Sequence, residues 1–239
     1  MNHAVFVETA NHVKLLEAMT ILQDAAQGMP GLGLVWGRAG RGKTESCRTY
    51  AVRSGAKYLR VMEGWSPAAM CRALAALLVP AAEPRTIEQS KRLILAALDA
   101  RRAVVIMDEA DRLRHISLIE HLRDIHDITG APVVLVGEEA LFGMINARRR
   151  IWSRVTQCVE FGPITPEDVT VYGGKAAGLD VADVAHTLCE RAGGDFRLVC
   201  RDMLALERLG KASGVQTITP AMIAALPSLQ PSGGLHGRA

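Results

Sequence analysis

The feature that most constrains the fold is the glycine-rich segment 37–44, Gly-Arg-Ala-Gly-Arg-Gly-Lys-Thr. It matches the pattern G-x-x-x-x-G-K-[ST] without a mismatch. The apolar run from Leu32 to Trp36 before it predicts a buried strand, and Glu45 to Arg53 after it predicts a helix. A strand, a glycine loop and a helix form the context that this motif requires. The alternative is a glycine-rich turn that matches by chance.

Each residue type in this segment suits phosphate binding. Glycines let the backbone approach a phosphate chain, and the N–H groups form an anion-binding nest at the positive end of the helix. Lys43 is placed to reach the β- and γ-phosphates, and the hydroxyl of Thr44 to bind Mg²⁺. We therefore expect ATP and Mg²⁺ as cofactors. The predicted nucleotide-binding residues here are Gly37, Arg38, Ala39, Gly40, Arg41, Gly42, Lys43, Thr44 and Glu45.

A second motif follows another apolar run. Residues 103–107 predict a strand buried on both faces, and Asp108 and Glu109 come directly after it. Asp108 is placed to hold the Mg²⁺ shell, and Glu109 to polarise the attacking water as a general base. An acidic pair after a strand is also a common turn. With a complete phosphate loop in the same chain, the catalytic interpretation is favoured.

The remaining pattern predicts an α/β core followed by a helical region. Further strands are expected at residues 57–62 and 133–137, with a weaker one at 156–161. After Pro163 only helical patterns follow, starting with Thr165 as a cap and Pro166 at the first helical position. We expect a core with an N-terminal helix at 1–162, a small helical lid at 163–226 and a disordered Gly/Ser/Pro-rich tail at 227–239.

Charge and cysteine content set limits on location and partners. The formal net charge is only +3, so the distribution of charge must decide about nucleic acid. The five cysteines are scattered without a C-x-x-C pair, which favours a reducing compartment over a disulfide framework or a zinc site. No apolar stretch is long enough to span a membrane. We expect a cytoplasmic protein that does not bind membranes.

Arginines cluster near the end of the predicted core. Arg148, Arg149, Arg150 and Arg154 lie within seven residues, and three interpretations remain open. They form a solvated surface, a patch that contacts DNA phosphates, or an arginine finger offered to a neighbouring subunit's nucleotide. Arg197 lies in the first turn of a predicted helix, where a cation opposes the helix dipole. That placement indicates that Arg197 interacts with a negative charge outside its own helix.

These features together resemble the AAA+ ATPases over residues 10–226. Segment 37–44 is similar to the Walker A motif and segment 104–109 to Walker B. By position, Arg154 resembles the arginine finger, which acts in trans, and Arg197 the sensor 2 arginine, which contacts the γ-phosphate in cis. One departure is that Glu138, after Gly137, stands where the family usually has a polar sensor residue. The resemblance implies a P-loop NTPase core, with a parallel sheet flanked by helices, and a helical lid.

Within this family, three runs are similar to the target-selection ATPases of transposition, MuB, TniB and TnsC, in their shorter phage-borne form. The runs are residues 108–113, 122–127 and 132–137. The resemblance implies a homo-oligomer, helical or ring-shaped, that assembles with ATP on double-stranded DNA without sequence specificity. It implies recruitment and activation of a transposase, and hydrolysis that is slow, stimulated by DNA or a partner, and drives disassembly.

Two other functions remain open. One is an IstB-like helicase loader or remodelling ATPase, and the other is a AAA+ chaperone or signalling ATPase that does not bind nucleic acid. The absence of a convincing helix-turn-helix pattern favours DNA contacts to the backbone. The candidate DNA-contact residues share only a positive charge, and a solvated surface is the alternative for each: Lys91, Arg92, Arg112, Arg114, Arg148, Arg149 and Arg150.

Overall fold

The computed structural model of the protein describes residues 1–2, 5–25, 29–113 and 115–227. The chain divides into two compact units. One comprises the described residues of 11–161, and the other comprises the described residues of 1–10 and 162–227. The predicted tail lies outside the described residues from residue 228 on.

A five-stranded parallel sheet forms the centre of unit 11–161. Its strand order is β2-β3-β4-β1-β5. The strands are β1 (Leu32–Trp36), β2 (Lys57–Arg60), β3 (Val105–Asp108), β4 (Val133–Gly137) and β5 (Val155–Glu160). The three central strands are apolar and almost fully buried, as expected for strands covered by helices on both faces. The α/β fold predicted from these apolar runs is confirmed.

The order of the strands determines where a ligand can bind. The chain leaves β1 for β2 at one edge of the sheet and returns through β3 and β4, and it then crosses to β5 on the other side of β1. The strand order therefore reverses beside β1. In open α/β sheets, ligands bind at such a reversal, outside the carboxyl ends of the strands. The glycine-rich segment follows β1 at this place.

Helices cover both faces of the sheet, and several begin at a residue whose side chain caps the helix. The Ser66 side chain accepts a hydrogen bond from the Ala69 N–H ahead of a proline at the first helical position. Thr86 and Gln89 form a capping box. The helices of this unit are α1 (Ala10–Asp24), α2 (Lys43–Ser54), α3 (Pro67–Leu78), α4 (Ile87–Ala100), α5 (Ile116–Thr129), α6 (Glu139–Asn146) and α7 (Arg149–Trp152).

The second unit is helical among its described residues, apart from one bridge between Asp180 and Thr217. Thr165 and Asp168 form a capping box at its first helix. The first helix of this unit changes to π geometry at Gly173, and a 3₁₀ turn at Ala182–Val184 precedes the next helix. The α-helices are α8 (Pro166–Tyr172), α9 (Ala185–Arg191), α10 (Phe196–Ser213) and α11 (Pro220–Ala224).

Residues 1–10 group with this helical unit, although the sequence pattern places them with the core at 1–162. The reason is packing, because Val7 is only 6% exposed and belongs to the same buried cluster as Val169, Leu188 and Met203. A short apolar segment before the first predicted helix gives no periodic signal that would reveal this. No helix of the described residues is both long and apolar enough to cross a membrane.

Candidate nucleotide-binding site

The glycine-rich loop has the backbone geometry of an anion-binding loop. Gly37, Gly40 and Gly42 have φ angles of 145°, 77° and 86°, which L-residues with side chains rarely adopt. A Cβ at Gly37 would lie 2.5 Å from the carbonyl oxygen of Phe161, which follows β5. Gly37 is therefore required by a close backbone approach as well as by its φ angle.

Helix α2 begins at Lys43 directly after this loop. Gly42 occupies its N-cap in the left-handed conformation, and no side chain caps the helix. The first N–H groups of a helix have no partner within the helix, so they are available to an anion. The loop and the helix start provide the donors that the sequence motif predicts.

The Lys43 side chain folds back onto the loop. It is 9% exposed, and its Nζ donates hydrogen bonds to the carbonyl oxygens of Gly37 and Arg38, the latter at 2.8 Å. Burial lowers the pKa of Lys43, although the negative charges of Glu138 and Asp108 act in the opposite direction. The buried ammonium is thus held by neutral carbonyls, and phosphate oxygens would be stronger acceptors for it.

The other loop residues differ in exposure. Arg38, Ala39 and Glu45 are exposed, whereas Arg41 is only 7% exposed. Within the described residues, Nη1 of Arg41 is buried and has no hydrogen-bond partner. The loop therefore carries a second buried cation beside Lys43.

Asp108 ends β3, and its carboxylate is fixed by three donors. The hydroxyl of Thr44 donates to Oδ2 at 2.9 Å, and the hydroxyl of Tyr58 donates to the same oxygen at 2.6 Å. The backbone N–H of Glu109 donates to Oδ1 at 2.9 Å. The structure thus brings together Thr44 and Asp108, the two side chains that the sequence predicts for Mg²⁺.

Glu109 has an unusual backbone conformation and two cationic partners. Its φ angle is 58°, the only positive value among the described non-glycine residues, and such a conformation stores strain. Nη2 of Arg60 lies 3.1 Å from Oε1, and Nη2 of Arg112 lies 3.2 Å from Oε2. Both oxygens of the predicted general base are therefore paired with arginines.

The side chain of an aspartate, Asp111, lies against the carboxyl end of β4. Oδ1 of Asp111 accepts a hydrogen bond from the backbone N–H of Glu138 at 3.3 Å. A Cβ at Gly137 would collide with this oxygen and with Leu141, so any larger residue there would require both side chains to move. The side chain of Glu138 is exposed, and its charge acts on Lys43.

Arg154 lies where the parallel strands begin, which we call the amino edge of the sheet. The phosphate loop lies where the strands end, at the carboxyl edge. Its backbone carbonyl accepts a hydrogen bond from the N–H of Leu32, the first residue of β1, whereas the phosphate loop follows the last residue of that strand. Its Nε lies 3.1 Å from Oδ1 of Asp127, and Asp127 is also 3.6 Å from Arg123. The backbone of Arg154 is thus about 16 Å from the first glycine of its own phosphate loop along β1, at about 3.3 Å per residue.

Aromatic packing joins the two edges. Trp36, the last residue of β1, stacks on Phe142 with ring centroids 4.5 Å apart. Phe142 in turn contacts Trp152 edge-on at 6.0 Å. Trp152 ends α7, two residues before Arg154. A series of aromatic contacts therefore connects the phosphate loop with residues 148–154, the arginine segment.

The predicted DNA contacts do not form one patch in the structure. Arg112 follows β3 at the carboxyl edge, whereas the exposed Arg148, Arg149 and Arg150 precede β5 at the amino edge. On α4, Arg92 is exposed, and Nζ of Lys91 lies 3.1 Å from Nδ1 of His121. Arg114 lies outside the described residues.

Arg197 lies in the helical unit, in the first turn of α10. Its side chain is exposed, and its backbone N–H donates to the Asp195 side chain, which caps the helix, at 2.8 Å. Its assignment as a γ-phosphate contact stays a prediction.

Four side chains of the site were not predicted from the sequence. Tyr58, Arg60 and Asp111 surround the acidic pair, and Asp127 holds Arg154. Tyr58 and Arg60 are two residues apart on β2, which places them on one face of the sheet. The two-residue spacing could have identified both side chains from the sequence, but only if β2 had been known to lie beside β3.

Comparisons with known proteins agree with this architecture. A family model described as an AAA domain matches residues 27–145. The Aeropyrum pernix ORC2 protein in its ADPNP-ADP complexes has a TM-score of 0.64 and 14% identity, over 93% of this chain and 67% of that chain. Cdc6p from Pyrobaculum aerophilum has a TM-score of 0.64 and 17% identity, over 95% of this chain and 73% of that one.

A third similar structure is the Aeropyrum pernix ORC1 protein in complex with DNA, with a TM-score of 0.57 and 18% identity. It is matched over 94% of this chain, which spans 64% of the ORC1 chain and thus less than two thirds of it. No curated protein matches the chain. Residues 27–145, just under half of the chain, thus match the AAA domain model, and the chain as a whole has the P-loop NTPase fold of these solved structures.

Proposed function

We propose that the protein is an ATPase that binds ATP with Mg²⁺ at the carboxyl edge of its sheet and hydrolyses ATP to ADP and phosphate. The observation that carries this proposal is the hydrogen bond from Thr44 to Asp108, which joins the phosphate loop to the acidic end of β3. Two motifs that are far apart in the sequence thus meet where the strand order reverses, with Lys43 beside them.

The donor set fits Mg²⁺. Thr44 offers a hydroxyl oxygen and Asp108 a carboxylate, and oxygen ligands of this kind are those that Mg²⁺ prefers. A bound Mg²⁺ would neutralise charge on the phosphates. Lys43 and the loop N–H groups bind the phosphates, Glu109 orients and deprotonates the attacking water, and Arg197 contacts the γ-phosphate.

We propose further that hydrolysis is slow until DNA or a partner stimulates it. A carboxylate with both oxygens held by arginines is not free to accept a hydrogen bond from an attacking water. Arg60 and Arg112 are 59% and 34% exposed on their side chains, so both can turn to other anions. DNA phosphates that bind Arg112 would therefore release Glu109 for catalysis.

Arg154 is proposed to complete the site of a neighbouring subunit. It lies at the amino edge of its own sheet, and the distance to its own phosphate loop exceeds the length of an arginine side chain. A second copy that places its amino edge against this carboxyl edge would supply the arginine in trans. Hydrolysis would then depend on a homo-oligomer, helical or ring-shaped.

The biological process that we propose is target selection in DNA transposition. ATP-bound subunits would assemble on double-stranded DNA without sequence specificity, recruit and activate a transposase, and disassemble on hydrolysis. The support is the sequence resemblance to MuB, TniB and TnsC, together with the fold shared with ORC1, which was solved with DNA. A helicase loader of the IstB type would share the same ATP site and remains the second candidate.

Sedimentation with a long, non-specific duplex tests this proposal. We expect large DNA-bound assemblies with ATP and Mg²⁺ but not with ADP, and binding that falls steeply with salt because phosphate contacts dominate. Lys43→Ala serves as the control, used at an ATP concentration that saturates wild type but not this variant. Equal binding with both nucleotides, or none, would reject the target-selection switch. A strand-transfer assay with an added transposase then separates target selection from helicase loading.

A further inference from the structure

The carboxylate of Asp108 has almost no acceptor capacity left. A carboxylate offers about four lone-pair sites on its two oxygens. Thr44 and Tyr58 occupy both sites of Oδ2, and the Glu109 N–H occupies one site of Oδ1. The remaining site is on Oδ1, and Asp108 itself is 2% exposed. Among these three donors, Tyr58 is the one that belongs neither to the phosphate loop nor to the acidic pair.

The sheet register explains why Tyr58 reaches this carboxylate. Tyr58 on β2 pairs with Ile106 on β3, and Asp108 lies two residues further on the same face. The ring of Tyr58 packs against the buried cluster that contains Cys47, Tyr50 and Ile106. The phenol hydroxyl of Tyr58 is the donor in this hydrogen bond, and the carboxylate oxygen of Asp108 accepts it.

We propose that Tyr58 is a positioning residue that fixes the carboxylate of Asp108 for the metal ion. Its hydrogen bond leaves only Oδ1 of Asp108 with a lone pair available to the metal or to a metal-bound water. This inference rests on the proposed ATPase function and deepens it. With Tyr58 in place, Oδ2 is saturated, and Asp108 can turn only its Oδ1 toward the metal or a metal-bound water. Thr44 donates a hydrogen bond to Asp108, and its oxygen lone pairs would remain available to the same ion.

Loss of the Tyr58 hydroxyl should change the affinity for the metal and not the affinity for the nucleotide. Removal of an outer-shell partner of a metal ligand typically lowers metal affinity by about 10–100-fold. The phosphates are held by the loop N–H groups and Lys43, none of which contacts the hydroxyl of Tyr58 in the described structure. Tyr58→Phe should therefore weaken metal binding and leave metal-free nucleotide binding unchanged.

The test compares Tyr58→Phe with wild type and with Tyr50→Phe. Tyr50 is buried in the same cluster but carries its hydroxyl on α2, so it controls for loss of a buried hydroxyl. Electron paramagnetic resonance follows Mn²⁺ binding to the ADP complex, and a fluorescent ATP analogue measures nucleotide affinity in EDTA. We expect the Mn²⁺ half-saturation of Tyr58→Phe to rise about tenfold, with nucleotide affinity in EDTA within about twofold of wild type.

The outcomes separate this inference from the proposed function. If Tyr58→Phe binds Mn²⁺ as wild type does, the positioning role is rejected and the ATPase proposal stands. If both tyrosine variants lose metal and nucleotide affinity to the same extent, the hydroxyl acts on the fold and the role is again rejected. If wild type binds neither nucleotide nor Mn²⁺, the proposed function itself fails.

Discussion

The two edges of the parallel sheet are built in different ways. At the carboxyl edge, the functional side chains are buried and held by the chain itself, as in the three donors on Asp108 and the carbonyl contacts of Lys43. At the amino edge, Arg154 is 42% exposed and is held by Asp127, while Arg148, Arg149 and Arg150 are exposed to solvent.

This difference is what we expect if the proposed ATP site of one subunit is completed by an arginine of a neighbouring subunit. Groups that must bind phosphates and metal benefit from being fixed in advance, since preorganised dipoles need no rearrangement during reaction. Groups that must meet another subunit or DNA have to remain accessible. The four predictions below test this division, beginning with the variant that should have the largest effect.

Arg154→Ala should lower kcat for ATP hydrolysis by about 1000-fold, because arginine fingers contribute on the order of 10³–10⁵. ATP affinity should stay close to that of wild type, since the binding groups lie at the other edge. Arg149→Ala, which removes a neighbouring exposed arginine, is the matched control. Steady-state hydrolysis and nucleotide titration measure the two quantities. Full DNA-stimulated turnover in the Arg154 variant would refute its assignment.

A mixing experiment sharpens the same prediction. Glu109→Gln and Arg154→Ala should each be inactive alone, because one lacks the base and the other the finger. In mixed oligomers, an Arg154→Ala subunit keeps its Glu109 and receives Arg154 from a Glu109→Gln neighbour. Activity should therefore return on mixing. If it does not return although mixed oligomers form, Arg154 does not act in trans.

Lys43→Ala should weaken ATP binding by about 100-fold, within the range for removal of a buried charge that pairs with an opposite charge. Lys14→Ala, on the exposed surface of α1, controls for the loss of a positive charge. Titration with a fluorescent ATP analogue gives both affinities. An unchanged affinity would mean that the carboxyl edge does not bind the phosphates.

Arg112→Ala should raise DNA-independent hydrolysis roughly two- to fivefold, because a partly exposed ion pair contributes about 0.2–1 kcal/mol and its loss frees Glu109. Stimulation by DNA should fall at the same time, since the variant lacks the residue that is proposed to link DNA binding to Glu109. Arg72→Ala on α3 is the control. Basal activity below that of wild type would show that Arg112 supports catalysis and does not restrain it.

Gly137→Ala should lower the free energy of unfolding by about 1–3 kcal/mol, the usual cost of overpacking, because its Cβ would collide with Asp111 and Leu141. Gly143→Ala should act in the opposite direction, by about 0.5–1 kcal/mol, since it lies in α6 with open space around its Cβ. Urea unfolding measures both variants. Equal stability of the two would argue against the tight packing described at the carboxyl edge.

Local signals account for the parts of the structure that the sequence predicted well. The apolar runs that became β1, β3 and β4 lie in the sheet interior, where continuous hydrophobic sequence is diagnostic. The phosphate loop is equally local, because the backbone angles of its glycines depend on the residues themselves. The meeting of Thr44 with Asp108 also follows, since both lie at the carboxyl ends of parallel strands.

What remained hidden depends on the order of strands and on long-range packing. Tyr58 and Arg60 gain their partners because β2 pairs with β3, and β1 pairs with neither of these strands. The contact between Arg154 and Asp127 joins the start of β5 to the end of α5, which no periodicity reveals. The burial of Val7 in the helical unit likewise depends on a contact across most of the chain.

The aromatic contacts between the two edges also provide a natural optical signal. Two of the three tryptophans, Trp36 and Trp152, contact the same phenylalanine, and Trp36 directly precedes Gly37. Indole emission depends on the surroundings of the ring, so both occupancy of the loop and docking of the arginine segment should alter the fluorescence of the unlabelled protein. Replacement of each tryptophan by phenylalanine in turn would let each event be timed separately, without any attached dye.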